Sequence, residues 1–417
     1  MAEILIASMQ PVGHFGPLLN VAEGLVARGD RVSFLTASHH AAKIRAAGAR
    51  PFALPKEAEF DESRLDLDLP GRTETTGIKR VNFDIEHLFL KQMPHQTSAL
   101  AELMRQTRFD AIIVDSTFFG IVPFLLGDRT ARPPVLSYST TPLMLSSVDT
   151  APFGLGMPPS STASGRIRNR ALNRLSHNVL MRDCQRAANL QLDRLNAPKL
   201  PMFILDTGVL ADRYITASIP ELDYPRSDLP PNVRYVGAVH PVPAPGFQPP
   251  PWWSELDGNR PVVHVTQGTI DNADLSRLLE PTIDALRDED VVVVATTGGR
   301  DISEIHTRLP RNTYVAEYIP HNELLPKVDV MVTNGGFGAV QRALSTGVPL
   351  VVAGNTEDKP EVAARVAWSG VGINLRTGTP SAAQVRRAVR DILSEERYRR
   401  RARELESAYA RRDGVAE

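Results

Sequence analysis

A single cysteine, Cys184, stands in 417 residues. One thiol excludes an internal disulfide framework and any cysteine-based zinc cluster, and it fits a reducing compartment. Charge of one sign is lacking too: 47 Lys and Arg face 48 Asp and Glu, a formal net charge of −1. Such a balance gives no electrostatic footprint for nucleic acid or for an anionic membrane surface. No apolar run approaches the length of a membrane span. The opening Met1-Ala-Glu-Ile-Leu-Ile-Ala-Ser8 carries an acid where a secretory leader carries positive charge, and its short apolar run suits a strand. The expectation is a soluble cytoplasmic enzyme, monomer or homodimer, whose partners are small molecules.

What the chain does have is a series of apolar strands ending in glycine or acid. The most informative stretch is Val332-Thr-Asn-Gly-Gly-Phe-Gly-Ala-Val340, continued by Gly347-Val-Pro-Leu-Val-Val352 and Glu357-Asp-Lys-Pro360. It reads as strand, glycine-rich turn, helix from near Ala339, turn, strand and acidic turn. A glycine-rich turn entering a helix leaves unpaired N–H groups and a positive dipole end outward, which suits a phosphate. Tight turns alone also need glycine, so the acidic turn matters. In a parallel sheet it lies at the same edge, where open α/β sheets bind ligands. Amides that cradle phosphate beside carboxylates suit a phosphate joined to a hydroxyl-rich group, as in a nucleotide sugar.

Two domains are the natural reading of this length. The first half gives a βαβ unit: a strand near Glu3–Ser8, a loop holding Pro11-Val-Gly-His-Phe-Gly16, a helix from about Pro17 to Arg28 and a strand at Arg31–Thr36. Further strands are expected at 52–54, 111–114, 135–138 and 213–216. The segments 56–78 and 146–164 are poorly periodic and read as binding loops. The run Pro241-Val-Pro-Ala-Pro-Gly-Phe-Gln-Pro-Pro-Pro251 is a stiff linker. After it come strands at 262–266, 291–296, 313–316, 328–333, 350–353 and 372–375, with a kink or late helix start at Pro281 and an arginine-rich last helix from Ser381. The fold class expected is α/β, two Rossmann-like doubly wound domains facing across a cleft. Residues 1–240 would form the first domain, 241–260 the linker and 261–417 the second domain.

His14 falls at the C-terminal end of the first strand, and Asp115 follows Ala111-Ile-Ile-Val114 at the same edge. Neutral imidazole is a competent base near pH 7, and a carboxylate on its far nitrogen fixes the tautomer. Asp110 precedes its strand, on the opposite edge. Gln267-Gly-Thr269 also follows a strand; its hydroxyl could bond a phosphate oxygen or cap a helix. Glu317-Tyr-Ile-Pro-His321 places an aromatic where a base could stack. Asp66-Leu-Asp68 has no buried strand before it, and His39-His40 no acidic or cysteine neighbours, so neither reads as a metal site. The arginines from 166 to 186 lack interleaved aromatics and read as a solvated face. The first loop also lacks the Gly-x-Gly-x-x-Gly spacing of a dehydrogenase.

On these motifs, over nearly its whole length, the chain resembles family-1 glycosyltransferases of the GT-B type, in the bacterial branch that decorates antibiotics and other small natural products. The family's base histidine matches His14 within Gly13-His-Phe-Gly16, and its partner aspartate Asp115. Its phosphate-contacting Gly-Ser/Thr matches Gly268 and Thr269. Its base-stacking Trp-x-Pro-Gln corresponds to Tyr318, Ile319, Pro320 and His321, and its Thr-His-Gly-Gly-x-Gly turn to Thr333, Asn334, Gly335, Gly336, Phe337 and Gly338. The sugar-binding Asp-Gln corresponds to Asp358 and Lys359, with Glu357 beside them. Three departures stand out. Asn334 replaces a histidine, Arg342 stands where many UDP-sugar users have a ribose-binding glutamate, and Lys359 replaces glutamine.

The resemblance implies a single inverting displacement without metal or resident cofactor, from a UDP- or dTDP-linked sugar to an acceptor hydroxyl. The acceptor would meet Gly13, Phe83, Phe89, Met93, Thr141, Met144 and Phe153. In that family the first domain, here 1–240, binds the acceptor, the second, here 261–417, binds the nucleotide sugar, and the last helix returns to the first domain. A nucleotide-sugar epimerase of the same fold and a non-catalytic nucleotide-sugar-binding helper are the alternatives. The long irregular loops of the first half favour a transferase, and the presence of both His14 and Asp115 speaks against a helper.

Overall fold

The apolar runs form two separate parallel sheets in the computed structural model, which describes residues 1–61, 64–241, 246–269 and 271–417. Linker residues 242–245 lie outside the described residues. The first sheet contains β1 (Glu3–Ala7), β2 (Arg31–Thr36), β3 (Arg50–Ala53), β4 (Ala111–Asp115), β5 (Val135–Ser139), β6 (Arg213–Thr216) and β7 (Val233–Tyr235). Its order is β3-β2-β1-β4-β5-β6-β7, with every adjacent pair parallel. A parallel sheet covered on both faces asks for continuous apolar strands, which is why Ile4–Ile6 and Ile112–Val114 do not alternate. Only β7 went unread, because three residues, Val-Arg-Tyr, carry too little pattern.

Helix α1 (Val12–Ala27) corrects an expectation. Proline favours a first helical position, so the helix was expected from Pro17. It begins five residues earlier, with the N–H groups of His14 and Phe15 bonded to the Pro11 carbonyl at 2.8 and 2.9 Å. Pro17 is tolerated inside, at the cost of the one bond its ring nitrogen cannot donate to Gly13. His14 thus stands in the first turn of a helix and not in a loop. Below it, His40 stacks on Phe15 with centroids 3.8 Å apart and bonds the Gln10 carbonyl through Nε2 at 2.8 Å. Helix α2 (Met93–Gln106) packs its buried Met93, Leu100 and Leu103 into the same core as Leu5, Ile112 and Val114.

The second sheet contains β8 (Val262–Thr266), β9 (Val292–Thr296), β10 (Thr313–Ala316), β11 (Val330–Thr333), β12 (Leu350–Val352) and β13 (Gly372–Asn374), in the order β10-β9-β8-β11-β12-β13. The helix holding Pro281 starts late, at Leu279. Helices α3 (Phe337–Ser345) and α4 (Lys359–Trp368) follow β11 and β12. The arginine-rich C-terminal helix is two helices, α5 (Ala382–Ser394) and α6 (Glu396–Ala410), broken where Glu395 turns extended. Ser381 and Gln384 close a capping box on α5. α6 packs on α3 and α5. In both sheets the strand order reverses once, between β1 and β4 and between β8 and β11, where an open α/β sheet offers a crevice beyond its strand ends.

By its contacts the chain divides into one unit of Met1–Pro152, Ser160–Ala217 and Arg226–Val242, and a second of Phe153–Pro159, Ser218–Pro225 and Pro243–Glu417. The two short pieces of the second unit are held by charge. Glu361 of α4 accepts N–H bonds from Gly154 and Gly156 at 2.9 and 2.8 Å and from Arg365 at 2.7 Å. Arg365 also donates to Asp223 at 2.8 Å and lies 4.2 Å over the Tyr224 ring. All three charged residues are buried. Removing one partner of such a cluster strands the others in a medium that solvates them poorly. Arg365→Met should therefore lose about 3–5 kcal/mol of stability, read as a lower urea midpoint of the second unit.

Candidate active site

The reversal between β1 and β4 brings together two residues 101 positions apart: His14 Nδ1 lies 2.8 Å from Asp115 Oδ2. Asp115 ends β4 with its side chain fully buried, while His14 keeps 18% of its side-chain surface exposed. The other carboxylate oxygen accepts from the Thr117 amide at 2.9 Å and the Thr117 hydroxyl at 2.8 Å. Burial raises the Asp115 pKa, but the charge and hydrogen bond of His14, with the two Thr117 bonds, outweigh it and the net direction is down. Asp115 is therefore a carboxylate that cannot turn away from the ring. The Thr117 and Thr140 hydroxyls approach Nδ1 at 3.2 and 3.3 Å. With Nδ1 committed, Nε2 is the nitrogen through which the imidazole would take a proton. Asp110 has a different task, accepting the Glu3 amide at the far edge of the sheet.

In the second unit, Gln267, Gly268 and Thr269 leave β8 beside the turn that leaves β11. Gly268 has φ +74° and Thr269 is exposed. Gly335 has φ +90°, and a side chain there would meet Val352 Cγ1 at 2.7 Å. α3 starts at Phe337 behind Gly336, with no side-chain cap and no acid in its first turn. The amides of its first turn, including Phe337 and Gly338, therefore have no partner within the helix and can meet an anion. Phe337 itself is buried. Asn334 does something the sequence did not indicate. Its Nδ2 donates to the carbonyls of Gln267 at 2.5 Å and Asp271 at 3.4 Å, so both N–H groups tie the two turns together. Gly354 lets the turn after β12 close on the same Asn334 turn, since a Cβ there would stand 1.9 Å from the Asn334 carbonyl.

Glu357, Asp358 and Lys359 lie at the entrance of α4, with Asp358 at its N-cap and Lys359 its first residue. Lys359 is buried, 2.5 Å from Glu357 Oε2 and 3.4 Å from Asp271 Oδ2. Asp271, also bonded by Arg277 at 2.8 Å and Thr356 at 2.8 Å, went unread. Its signal was available: an acid just past Gln267-Gly-Thr269, at the same sheet edge as Lys359.

Tyr318 follows β10 with 61% of its surface exposed, and Ile319 beside it is buried. His321 begins the next short helix and meets His264 of β8 edge-on, centroids 5.6 Å apart. Burial pushes His264 down to about 4. Burial, with the charges of His264 and Arg342, pushes His321 down to about 3.

The residues offered for an acceptor are scattered. Phe89 lies against His14, ring centroids 5.8 Å apart. Gly13 is exposed, and Thr141 and Met144 are partly buried. Phe83 stacks on His87 at 3.9 Å. Met93 is a correction: it is fully buried in the core under α2, because its helix turns it inward with Leu100. Phe153 belongs to the second unit, not the first.

Known proteins resemble this chain in sequence and in fold. Over its whole length the chain is 42% identical to 4'-demethylrebeccamycin synthase of Lentzea aerocolonigenes, covering 97% of that protein. It is 36% identical to UDP-glycosyltransferase 2 of Phaeomoniella chlamydospora, over 99% of this chain and 93% of the relative. The chain belongs to the family-1 glycosyltransferases. Residues 280–415 match the family described as Erythromycin biosynthesis protein CIII-like, C-terminal domain. The fold of this glycosyltransferase is that of the glycotransferase of kitacinnamycin (TM-score 0.75, 21% identity, 99% of this chain and 96% of that one). It is also that of CalG4, the calicheamicin glycosyltransferase (TM-score 0.73, 20% identity, 100% and 96%). It is a sugar-transferring enzyme of GT-B fold.

His264 and His321, depressed further than His40 and His177, which burial also lowers, give this glycosyltransferase an acid weakness. Both are neutral in the fold, while in the unfolded chain they take protons below about pH 6.5. Their contribution is complete above that pH and is lost as pH falls toward the folded values of about 4 and about 3. Between pH 6.5 and 5, where carboxylates stay ionised, stability should drop by about 2–3 kcal/mol. His321→Gln should remove roughly half of this pair's share of the slope in urea titrations run at each pH.

Proposed function

We propose that the protein is an inverting, metal-independent hexosyltransferase. Its donor is a nucleotide sugar, UDP-glucose first and a dTDP-linked sugar second. Its acceptor is a hydroxyl on a small hydrophobic natural product such as a polyketide or macrolide. The observation that carries this reading is the His14–Asp115 hydrogen bond of 2.8 Å, with the carboxylate buried and held ionised. In this reading His14 Nε2 takes the acceptor's proton while Asp115 stabilises the imidazolium. The acceptor oxygen forms a bond to the anomeric carbon from the face opposite the nucleotide. The bond from that carbon to the diphosphate breaks, and its electron pair leaves on the β-phosphate.

The leaving diphosphate is assigned to the second unit. Its growing charge would be met by the amides opening α3, at Phe337 and Gly338, and by the Thr269 hydroxyl. This is the work a divalent cation does elsewhere. Tyr318, exposed beside buried Ile319, supplies a face for the base. Glu357, Asp358 and Lys359 are assigned to the sugar. The names of the relatives, among them UDP-glucosyltransferase 1 of Beauveria bassiana at 34% identity, support a UDP-linked hexose. A phenolic acceptor suits the base best, since a phenol's pKa of about 10 lies nearer the imidazole's than an alcohol's does.

His14→Ala should lower transfer by about 10²–10⁴-fold and leave donor affinity within twofold. Calorimetry with UDP-glucose and dTDP-glucose in chelator, paired with acceptor turnover by mass spectrometry, tests this. Equal loss of binding and turnover would make His14 structural. Sugar isomerisation without acceptor would assign the site to an epimerase.

A further inference from the structure

Lys359 is unusual among the lysines for being almost out of water, its side chain 5% exposed. A buried ammonium persists only with compensating charge. Two carboxylates supply it, and they differ in how they are held. Glu357 is 64% exposed at its side chain and stands in the left-handed region, φ 53°, which costs a non-glycine residue backbone strain. Asp271 comes from another strand end and is fixed from several sides. Its Oδ1 accepts from Arg277 Nη1 at 2.8 Å, while Oδ2 accepts from Thr356 at 2.8 Å and faces Lys359 Nζ at 3.4 Å. Arg277 itself reaches Asn355 at 3.3 Å. The turn 355–357 and the start of α4 are thus fastened to the β8 turn through one carboxylate.

We propose that Asp271 is a positioning residue for donor sugar selection, fixing the Lys359 ammonium beside Glu357 so that the pair reads one face of the hexose. This rests on the nucleotide-sugar reading above and names how its sugar end discriminates. A hydroxyl is both donor and acceptor, and an ammonium next to a carboxylate answers both needs at one spot. Lysine alone, on four rotatable bonds, would be a poor ruler. Held by a hydrogen bond to Glu357 and the charge of Asp271 at 3.4 Å, it has little rotational freedom left. An epimer that moves one hydroxyl then misplaces two hydrogen bonds together.

The test uses the full chain. The wild type is measured with UDP, UDP-glucose and UDP-galactose, or with the dTDP series if that base is preferred. Asp271→Asn, nearly isosteric, should raise the KM for the preferred hexose about five- to tenfold, with kcat within twofold and affinity for the bare diphosphate unchanged. Discrimination between the two epimers should fall by a similar factor. Lys359→Gln should do the same, and the double variant should be no worse than Lys359→Gln alone, since one residue acts through the other. Thr356→Val, which removes a single bond to Asp271, should give a smaller loss in the same direction and serves if Asp271→Asn fails to fold. Equal weakening of diphosphate and sugar nucleotide, or additive losses in the double variant, would overturn the proposal. Failure of the wild type to bind either nucleotide sugar would sink the donor reading itself and this inference with it. Normal wild-type discrimination with an unaffected Asp271→Asn removes the inference alone.

Discussion

One hydrogen bond in the first unit depends on everything else being in place. His14 and Asp115 lie 101 residues apart, and their 2.8 Å contact exists only because β1 and β4 are neighbours in a parallel sheet. Parallel neighbours end at the same edge, so whatever follows β1 faces whatever follows β4. The strand-order reversal then clears space above that edge, since the connecting helices leave in opposite directions. Thr117 completes the arrangement by taking the carboxylate's second oxygen. An imidazole, the carboxylate that orients it and that carboxylate's own anchor follow from a rule of sheet topology and three side chains.

The second unit uses the same topology for a different chemical end. Its reversal carries a set of backbone N–H groups opening α3, on a turn that Asn334 ties to the β8 turn and that the bare backbone at Gly354 lets approach the turn after β12. Fixed amides cost nothing to reorganise when an anion's charge arrives. Beside them the charged groups are paired: Lys359 with Glu357 and Asp271, and Asp271 with Arg277. The unit therefore offers anion-seeking dipoles and a self-neutralised charged rim side by side.

Much of this was legible in the chain because parallel strands advertise themselves. Runs such as Val262–Thr266 and Arg31–Thr36 have no rival pattern, and the residues ending them are forced to one edge. What could not be read was whatever depends on where a helix begins or which way a side chain turns. Pro17 looks like a helix start and is an interior residue. Met93 looks like loop surface and is core, because helix phase and not hydrophobicity decides its direction. Asn334 looks like a phosphate donor and spends its amide on backbone, a distance no spacing encodes. Asp271 stands at a legible strand end, but its pairing with Lys359, 88 positions downstream, is a contact no spacing encodes. β7, three residues long, was below any pattern's reach.

The chain path has a consequence for anyone recombining such enzymes. It passes between the two units at residues 152/153, 159/160, 217/218, 225/226 and 242/243, so neither unit is a single stretch of gene. A hybrid spliced at the proline-rich segment would carry Phe153–Pro159 and Ser218–Pro225 from one parent onto α4 from the other. Gly154, Gly156 and Asp223 would then have to satisfy a foreign Glu361 and Arg365. Swappable halves are set less by the linker than by whether those five residues travel as a matched set.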